Sequence, residues 1–377
     1  MAALDNLEVL DFSRILAGPF ATMMLGDLGA DVVKVERPGA GDDTRTWGPP
    51  YDETGMATYF QAINRNKRSI ALDLADAGDR ERARGMAAGA DVVVENFRPG
   101  VMDRLGLGYE ELKERNPALI YCSITGFGRR EGAALPGYDL LLQAMGGLMS
   151  ITGPPDGDPH KVGVALVDVL AGLFASVGIL AAVRHRDRTG QGQRVEVDLL
   201  SSLLAALVNQ ASAYTLAGVV PERMGNAHPS IAPYELFRAA DADLVLAVGN
   251  DRQFAALSQI IGAPELAEQA RFARNEDRVA HRDELRAELE QRLARRPAED
   301  WARELTEAGV PAGSVNDVGA AFRLAESLGL EPIVDVARAD GTVARLPRNP
   351  IGLSETPPSY RSAPPALPGR GPEGERP

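Results

Sequence analysis

Apolar and polar positions change period along the first 125 residues. Short β-branched runs predict strands at 7–12, 30–35, 69–74, 90–96 and 119–124. Between them lie helical runs at 19–28, with Gly29 as a stop, and at about 77–88, which is strongly charged. Strand and helix in alternation predict an α/β fold, with a parallel sheet covered by helices on both faces. In such sheets ligands bind in the loops at the carboxyl ends of the strands.

Residues 136–220 are expected to be mostly helical, broken by a Gly/Pro/Asp-rich turn from Gly153 to Pro159. A strand is expected at 194–199. The longest nearly apolar stretch, 169–183, lies between Asp168 and the run Arg184-His185-Arg186. It is short for a membrane span and predicts a buried helix. The composition shifts around Gly225-Asn226-Ala227-His228-Pro229. Beyond it come a strand at 244–248, charged amphipathic helices near 251–262, 277–295 and 298–308, and a strand near 312–315. This part is expected to form a smaller second domain. The tail beyond Pro347 is rich in Pro, Gly and Ser, and its end is expected to be mobile.

A chain of 377 residues fits two domains. Lys and Arg total 40 against 53 Asp and Glu, a net charge of −13. Such a chain is ill suited to nucleic acid or an anionic membrane, and an anionic ligand needs a local basic cluster. The single cysteine, Cys122, excludes an intrachain disulfide and a multi-cysteine metal site. Asp5, Glu8 and Asp11 stand where a signal peptide would be basic and then apolar. A cytoplasmic location is expected. One literal G-x-G-x-x-G, at 369–374, has neither a strand before it nor a helix after it. The four histidines, at 160, 185, 228 and 281, are far apart in sequence, and no metal is expected.

Two features carry candidate chemistry. Arg37, Arg45, the run Arg65-Asn66-Lys67-Arg68, Arg98 and Arg104 fall in or after the early strands. They read either as an anion pocket or as ordinary surface charge. Asp168 stands alone among apolar residues where a long helix begins. It reads as a helix N-cap, or as a carboxylate held ionised at a helix start and free to act as a nucleophile.

The chain resembles the class III CoA-transferases, the family that includes formyl-CoA transferase, carnitine CoA-transferase and α-methylacyl-CoA racemase. The resemblance rests on Asp11-Phe12-Ser13-Arg14 with Ala17-Gly18-Pro19, on Lys34-Val35-Glu36-Arg37-Pro38-Gly39, and on Asn66-Lys67-Arg68-Ser69. It continues in Val94-Glu95-Asn96-Phe97-Arg98-Pro99-Gly100, Gly137-Tyr138-Asp139, the Asp168 segment, Gly225-Asn226-Ala227-His228-Pro229 and Gly309-Val310-Pro311-Ala312-Gly313. It implies a Rossmann-like large CoA-binding domain, 1–200, completed by 330–377. A small α/β domain follows at 226–320, with linkers at 201–225 and 321–329. Two chains are expected to interlock as a homodimer.

The resemblance makes Asp168 the nucleophile. Acyl-CoA would first form a mixed anhydride with it, then an aspartyl-CoA thioester, from which a carboxylic acid takes the CoA. Succinyl-CoA is the expected donor, and no cofactor or metal is implied. CoA contacts map onto Leu16, Ala17, Arg37, Leu72, Asn96, Phe97, Arg98, Arg104 and Tyr138. Leu16 and Ala75 replace a glutamine and a lysine of formyl-CoA transferase, and its shielding glycine loop has no counterpart, which argues against formyl-CoA and oxalate. Tyr138 stands where the racemase branch has a histidine. A phenol with an ordinary pKa near ~10 is a poor second base, which favours transferase over racemase. An acyl-CoA racemase and a non-catalytic CoA-binding protein are the alternatives.

Overall fold

Six short strands form the main sheet, and the inner ones are buried along nearly their whole length, as strands covered on both faces are. The six are β1 (Glu8–Asp11), β2 (Asp31–Glu36), β3 (Lys67–Ala71), β4 (Val92–Glu95), β5 (Ile120–Thr125) and β6 (Arg194–Asp198). In the computed structural model, which describes residues 2–368, they pair in parallel in the order β3-β2-β1-β4-β5-β6. Helices follow as α1 (Ala17–Asp27), α2 (Thr58–Gln61), α3 (Ala77–Gly89), α4 (Val101–Arg104), α5 (Tyr109–Arg115), α6 (Asp139–Met145), α7 (Leu166–Thr189), α8 (Leu199–Ala206) and α9 (Val208–Ala217).

Alternation of side chains splits the core in two. Val9, Val92, Val94, Ile120 and Ile124 pack on one face with α1, α6, α7 and α8. Leu10, Val35, Val93 and Tyr121 pack on the other with α3, α4 and α5. The strand order reverses beside β1, so the loops after β1 and β4 leave the sheet side by side. That reversal opens a crevice at their carboxyl ends.

Helix α7 is long and apolar enough to cross a membrane. Here Val167, Ala171, Ala175, Ile179 and Ala182 form a stripe at helical spacing within the core. The helix begins three residues before the apolar stretch and runs six residues past it. Asp168 in its first turn and Arg186 and Arg188 in its last suit the helix dipole, and Gly190, at φ 73°, stops it.

The chain divides into two units, one of 2–148, 161–219 and 331–368, the other of 149–160 and 220–330. The second has an antiparallel sheet, β7 (Tyr234–Arg238), β8 (Asp243–Ala247) and β9 (Ala312–Ser314). Helices α10 (Asp251–Ile260), α11 (Asn275–Ala280), α12 (Arg282–Leu293), α13 (Ala298–Glu307) and α14 (Val318–Ser327) complete it. Phe237, Phe254, Leu289 and Trp301 centre its own core. The helix expected over 277–295 is broken at His281, whose backbone leaves the helical region. The segments expected as linkers are largely helical, as α8, α9 and α14 show.

An unexpected hairpin, β10 (Ile333–Ala337) and β11 (Val343–Pro347), belongs to the first unit. The Pro-rich chain after it forms no regular element yet packs by backbone pairing. Ser359 N–H donates to Asp27 C=O at 2.8 Å, Asn66 N–H to Ser362 C=O at 2.9 Å, and the Arg361 guanidinium to three carbonyls at the end of α1 and just beyond. The expected mobile end and the G-x-G-x-x-G lie outside the described residues, apart from the stretch up to 368.

Candidate active site

Glycines set the approach of the elements that meet at Asp168. A Cβ on Gly172 would lie 2.7 Å from the Ala17 carbonyl oxygen. Only glycine lets α7 come this close to the start of α1, and Asp168 lies one turn earlier on α7. Gly126, after β5, crosses Gly137 at a distance that leaves no room for a Cβ on either. That crossing brings Tyr138 to the same place.

Asp168 is not an N-cap. Ala165 holds that position, and Asp168 is the third residue of α7. The capping bond comes from another segment: Asp139 Oδ1 accepts the Val167 N–H at 2.8 Å, and its Oδ2 accepts from Gln143 Nε2 at 2.7 Å. The buried Gln143 also accepts the Val162 N–H at 2.8 Å, which fixes the turn before α7. Among the described residues, no hydrogen bond or ion pair engages the Asp168 carboxylate. Burial, and then the neighbouring Asp139 charge, raise its pKa to about 7. The sequence expectation of a carboxylate favoured as the anion by the helix start is therefore offset by desolvation and by a second acid.

Behind the loop after β1 lies a buried ionic network. The Asp11 carboxylate accepts from the Ser13 N–H at 2.9 Å, from the Thr22 hydroxyl at 2.6 Å and from Lys67 Nζ at 3.1 Å. Lys34 Nζ, which burial alone would discharge, is held charged by Asp11, Asp42 and Glu36. It lies 2.9 Å from Asp42 Oδ2 and donates to the Ser13 carbonyl at 2.8 Å. Lys34 and Lys67 are both fully buried.

Three cavities run in series past this network. The first, about 300 Å³, brings Arg37 and Leu72 together with Phe12, Phe97 and Leu105. The second, about 170 Å³, is lined by Arg14 to Ala17, Asn96 to Pro99, Tyr138 and Asp168, and shares Arg14 and Phe97 with the first. The third, about 680 Å³, is mostly apolar, with Phe20, Met23, Met24, Leu140 and Val164 in its wall beside Lys161 and Arg348. Four residues belong to both the second and third: Ile15, Leu16, Tyr138 and Asp168. The carboxylate thus sits in a wall between two spaces.

The structure brings together Leu16, Ala17, Asn96, Phe97, Arg98, Tyr138 and Asp168 around one groove, and Arg37 and Leu72 around the adjoining one. Arg104 is exposed on α4 and lines none of these cavities. Arg37 is half exposed and its guanidinium pairs with Asp43 at 2.8 Å. The Asn96 amide is committed to the backbone of residue 14, accepting its N–H at 2.8 Å and donating to its carbonyl at 2.7 Å.

The CoA-transferase family III model matches residues 4–370. The chain belongs to CoA-transferase family III. It is 44% identical over 352 residues to the acetyl-CoA:oxalate CoA-transferase of Acetobacter aceti, covering 93% of this chain and 89% of that one. It is 44% identical to the succinate–glutarate CoA-transferase of Agrobacterium fabrum, covering 97% and 92%. A CAIB/BAIF family protein from Brucella suis has the same mixed α/β fold, with a TM-score of 0.86 at 46% identity over 97% and 96% of the two chains.

Two site residues of this CoA-transferase had no role in the sequence reading. Tyr59, on α2, packs edge-on to Trp47 with ring centroids 5.5 Å apart. Burial, and then the Asp168 and Asp139 charges, raise its pKa to about 12, so it remains a donor beside both carboxylates. Asp139 was visible only as part of a motif. Its charge gives a test. Asp139→Asn keeps an oxygen for the Val167 N–H and removes the repulsion, so the apparent pKa of Asp168 in the transfer rate should fall. A pH–rate profile with an unmoved acid limb would show that burial alone sets it.

Proposed function

We propose that this enzyme moves CoA from an acyl-CoA donor, succinyl-CoA in the first instance, to a free carboxylic acid through covalent Asp168 intermediates. The carrying observation is the wall: Asp168 faces a narrow groove on one side and a larger apolar cavity on the other. CoA would lie along the first two cavities, at the carboxyl ends of β1 and β4 in what we take to be a Rossmann-like sheet. Arg37, Leu72 and Phe97 would hold its far end, and Arg98 and Tyr138 would flank the thioester.

The Asp168 carboxylate would attack the thioester carbonyl and expel CoA thiolate, leaving a mixed anhydride. The thiolate then attacks the Asp168 carbonyl, giving an aspartyl-CoA thioester and releasing the donor acid. An acceptor carboxylate attacks that thioester, and the thiolate returns to the acceptor's carbonyl. Asp168 is regenerated, and every step keeps an activated acyl bond. Water must be excluded throughout, which suits an apolar cavity. Lys161 at its wall suits an acid with an aliphatic body and a second anionic group, whereas Arg348 beside it is already paired with Glu331.

The test is a mass-spectrometric screen of carboxylic acids, oxalate and glutarate included, with succinyl-CoA and acetyl-CoA in deuterated water. The expected result is new acyl-CoA with no deuterium at the α-carbon. Exchange without transfer would establish a racemase, and tight CoA binding with neither reaction a binding protein.

The functional state we propose is a homodimer with interlocked chains. Val208 is 70% and Leu216 87% exposed on α9, and Val177 on α7 is 65% exposed. Apolar faces like these are covered in assemblies. Sedimentation at micromolar concentration should give twice the chain mass, and a monomer would remove this part of the proposal.

A further inference from the structure

We propose that Ile15 is held in a strained backbone conformation to fix the wall at Asp168, and that Asn96 is a positioning residue acting through it rather than a CoA contact. The inference rests on acyl transfer taking place at that wall.

Ile15 has φ +69°. A β-branched residue in the left-handed region persists only where its surroundings force it. Ile15 and Leu16 are two of the four residues shared by the groove and the apolar cavity. A relaxed residue 15 would turn the Leu16 peptide and the start of α1 away from Asp168.

The surroundings grip each residue of this loop in turn. Ser13 is bound through its N–H to Asp11 and through its carbonyl to Lys34, at 2.9 and 2.8 Å. Arg14 is bound at both its N–H and its carbonyl by the Asn96 side chain, at 2.8 and 2.7 Å. The Ile15 N–H faces the Asp42 carboxylate at 3.3 Å. Asp42 is itself fixed by Lys34 at 2.9 Å and by the Thr44 N–H at 2.9 Å. Asn96 follows β4 and Lys34 lies in β2, so the strands on either side of β1 reach across to hold its loop. An amide reads an N–H and a carbonyl together. Aspartate can satisfy only the first, and alanine neither.

Glycine separates this role from a CoA contact, because it adopts φ near +69° at no steric cost and needs no clamp. Asn96→Ala should lower kcat by roughly 100-fold, the scale of a small misplacement near the reacting atoms. Its CoA affinity by calorimetry should stay within roughly threefold, since the amide is already engaged. Adding Ile15→Gly to Asn96→Ala should recover at least roughly tenfold of that loss, a coupling that independent sites do not show. Asn96→Asp, which keeps the size and one of the two bonds, should lie between, and thermal denaturation confirms that each variant is folded.

CoA affinity lost more than roughly tenfold with kcat kept would make Asn96 a ligand contact after all. A double variant no faster than Asn96→Ala would overturn the clamp. Hydroxylamine trapping of acylated Asp168 in the wild type reports the nucleophile separately, so a failure of that reading is recognisable without these variants.

Discussion

Asp168→Asn should abolish CoA transfer while the protein stays folded and still binds CoA. The substitution keeps the size of a side chain that bonds to no other described residue. The cap of α7 is unaffected, because Asp139 supplies it. An amide cannot form the anhydride, so turnover should fall by roughly three orders of magnitude or more, as removal of a nucleophile does elsewhere. Wild-type enzyme given an acyl-CoA and hydroxylamine should gain a hydroxamate on the peptide that contains Asp168. Near-normal turnover in the variant, or label on another peptide, would end the covalent reading. Stability supplies an independent check. The folded pKa of about 7 lies above the unfolded value, so the fold favours protonated Asp168, and that contribution is lost as pH rises through 7. At pH 8 wild type carries a charge penalty that asparagine lacks. Asp168→Asn should therefore melt higher there, by roughly 2–4 °C, with the gap narrowing as pH falls toward 4.

Asp11→Ala should be among the most destabilising single changes in the first unit. The carboxylate is fully buried and held below its usual pKa range. Burial opposes its charge, and Lys67, Lys34, Ser13 and Thr22 outweigh that cost. Without it, Lys67 keeps, among the described residues, the Pro19 carbonyl at 2.8 Å and the Asn64 side-chain oxygen at 3.0 Å as hydrogen-bond partners. Two buried ammonium groups would then share less negative charge. Removing one partner of a buried pair costs about 3–5 kcal/mol, and denaturant unfolding should show a loss of that size. Lys67→Met leaves Asp11 with Lys34 and two hydroxyls, so it should cost less. Equal, small losses from both would mean that water replaces the missing partner.

Four of the first five strands were legible as β-branched or apolar runs between turns, whereas β3, expected at 69–74, lies at Lys67–Ala71 because polar residues open it. The long helix was legible from its unbroken apolar run, but it is buried on one face only, with Leu173, Phe174 and Val177 exposed on the other. Asp11 and Lys34 were also visible, yet a charge at a strand position does not announce which neighbour it will meet. That depends on the register that sets Asp11 beside Lys34. The hairpin β10–β11 escaped notice because Asp335 and Arg345 sit within it as a cross-strand pair. Asn96 lay in the right motif, but only the structure shows its amide turned to the protein's own backbone. Tyr59 had no signal at all. It lies on a four-residue helix, and only the fold brings it to Asp168.

The last described stretch of the first unit has a bearing on how the protein is made. Asp27, Arg65 and Asn66 are buried, and they take partners from Pro347, Asn349, Ser359, Arg361 and Ser362. A ribosome delivers those partners some 300 residues after the groups they satisfy, with the whole of the second unit translated in between. The strands of the first unit are able to pair early on the emerging chain, but its floor stays open to water until residue 362 has left the exit tunnel. Completion of the 347–362 stretch, rather than of the sheet that carries the candidate site, is the event that closes this unit.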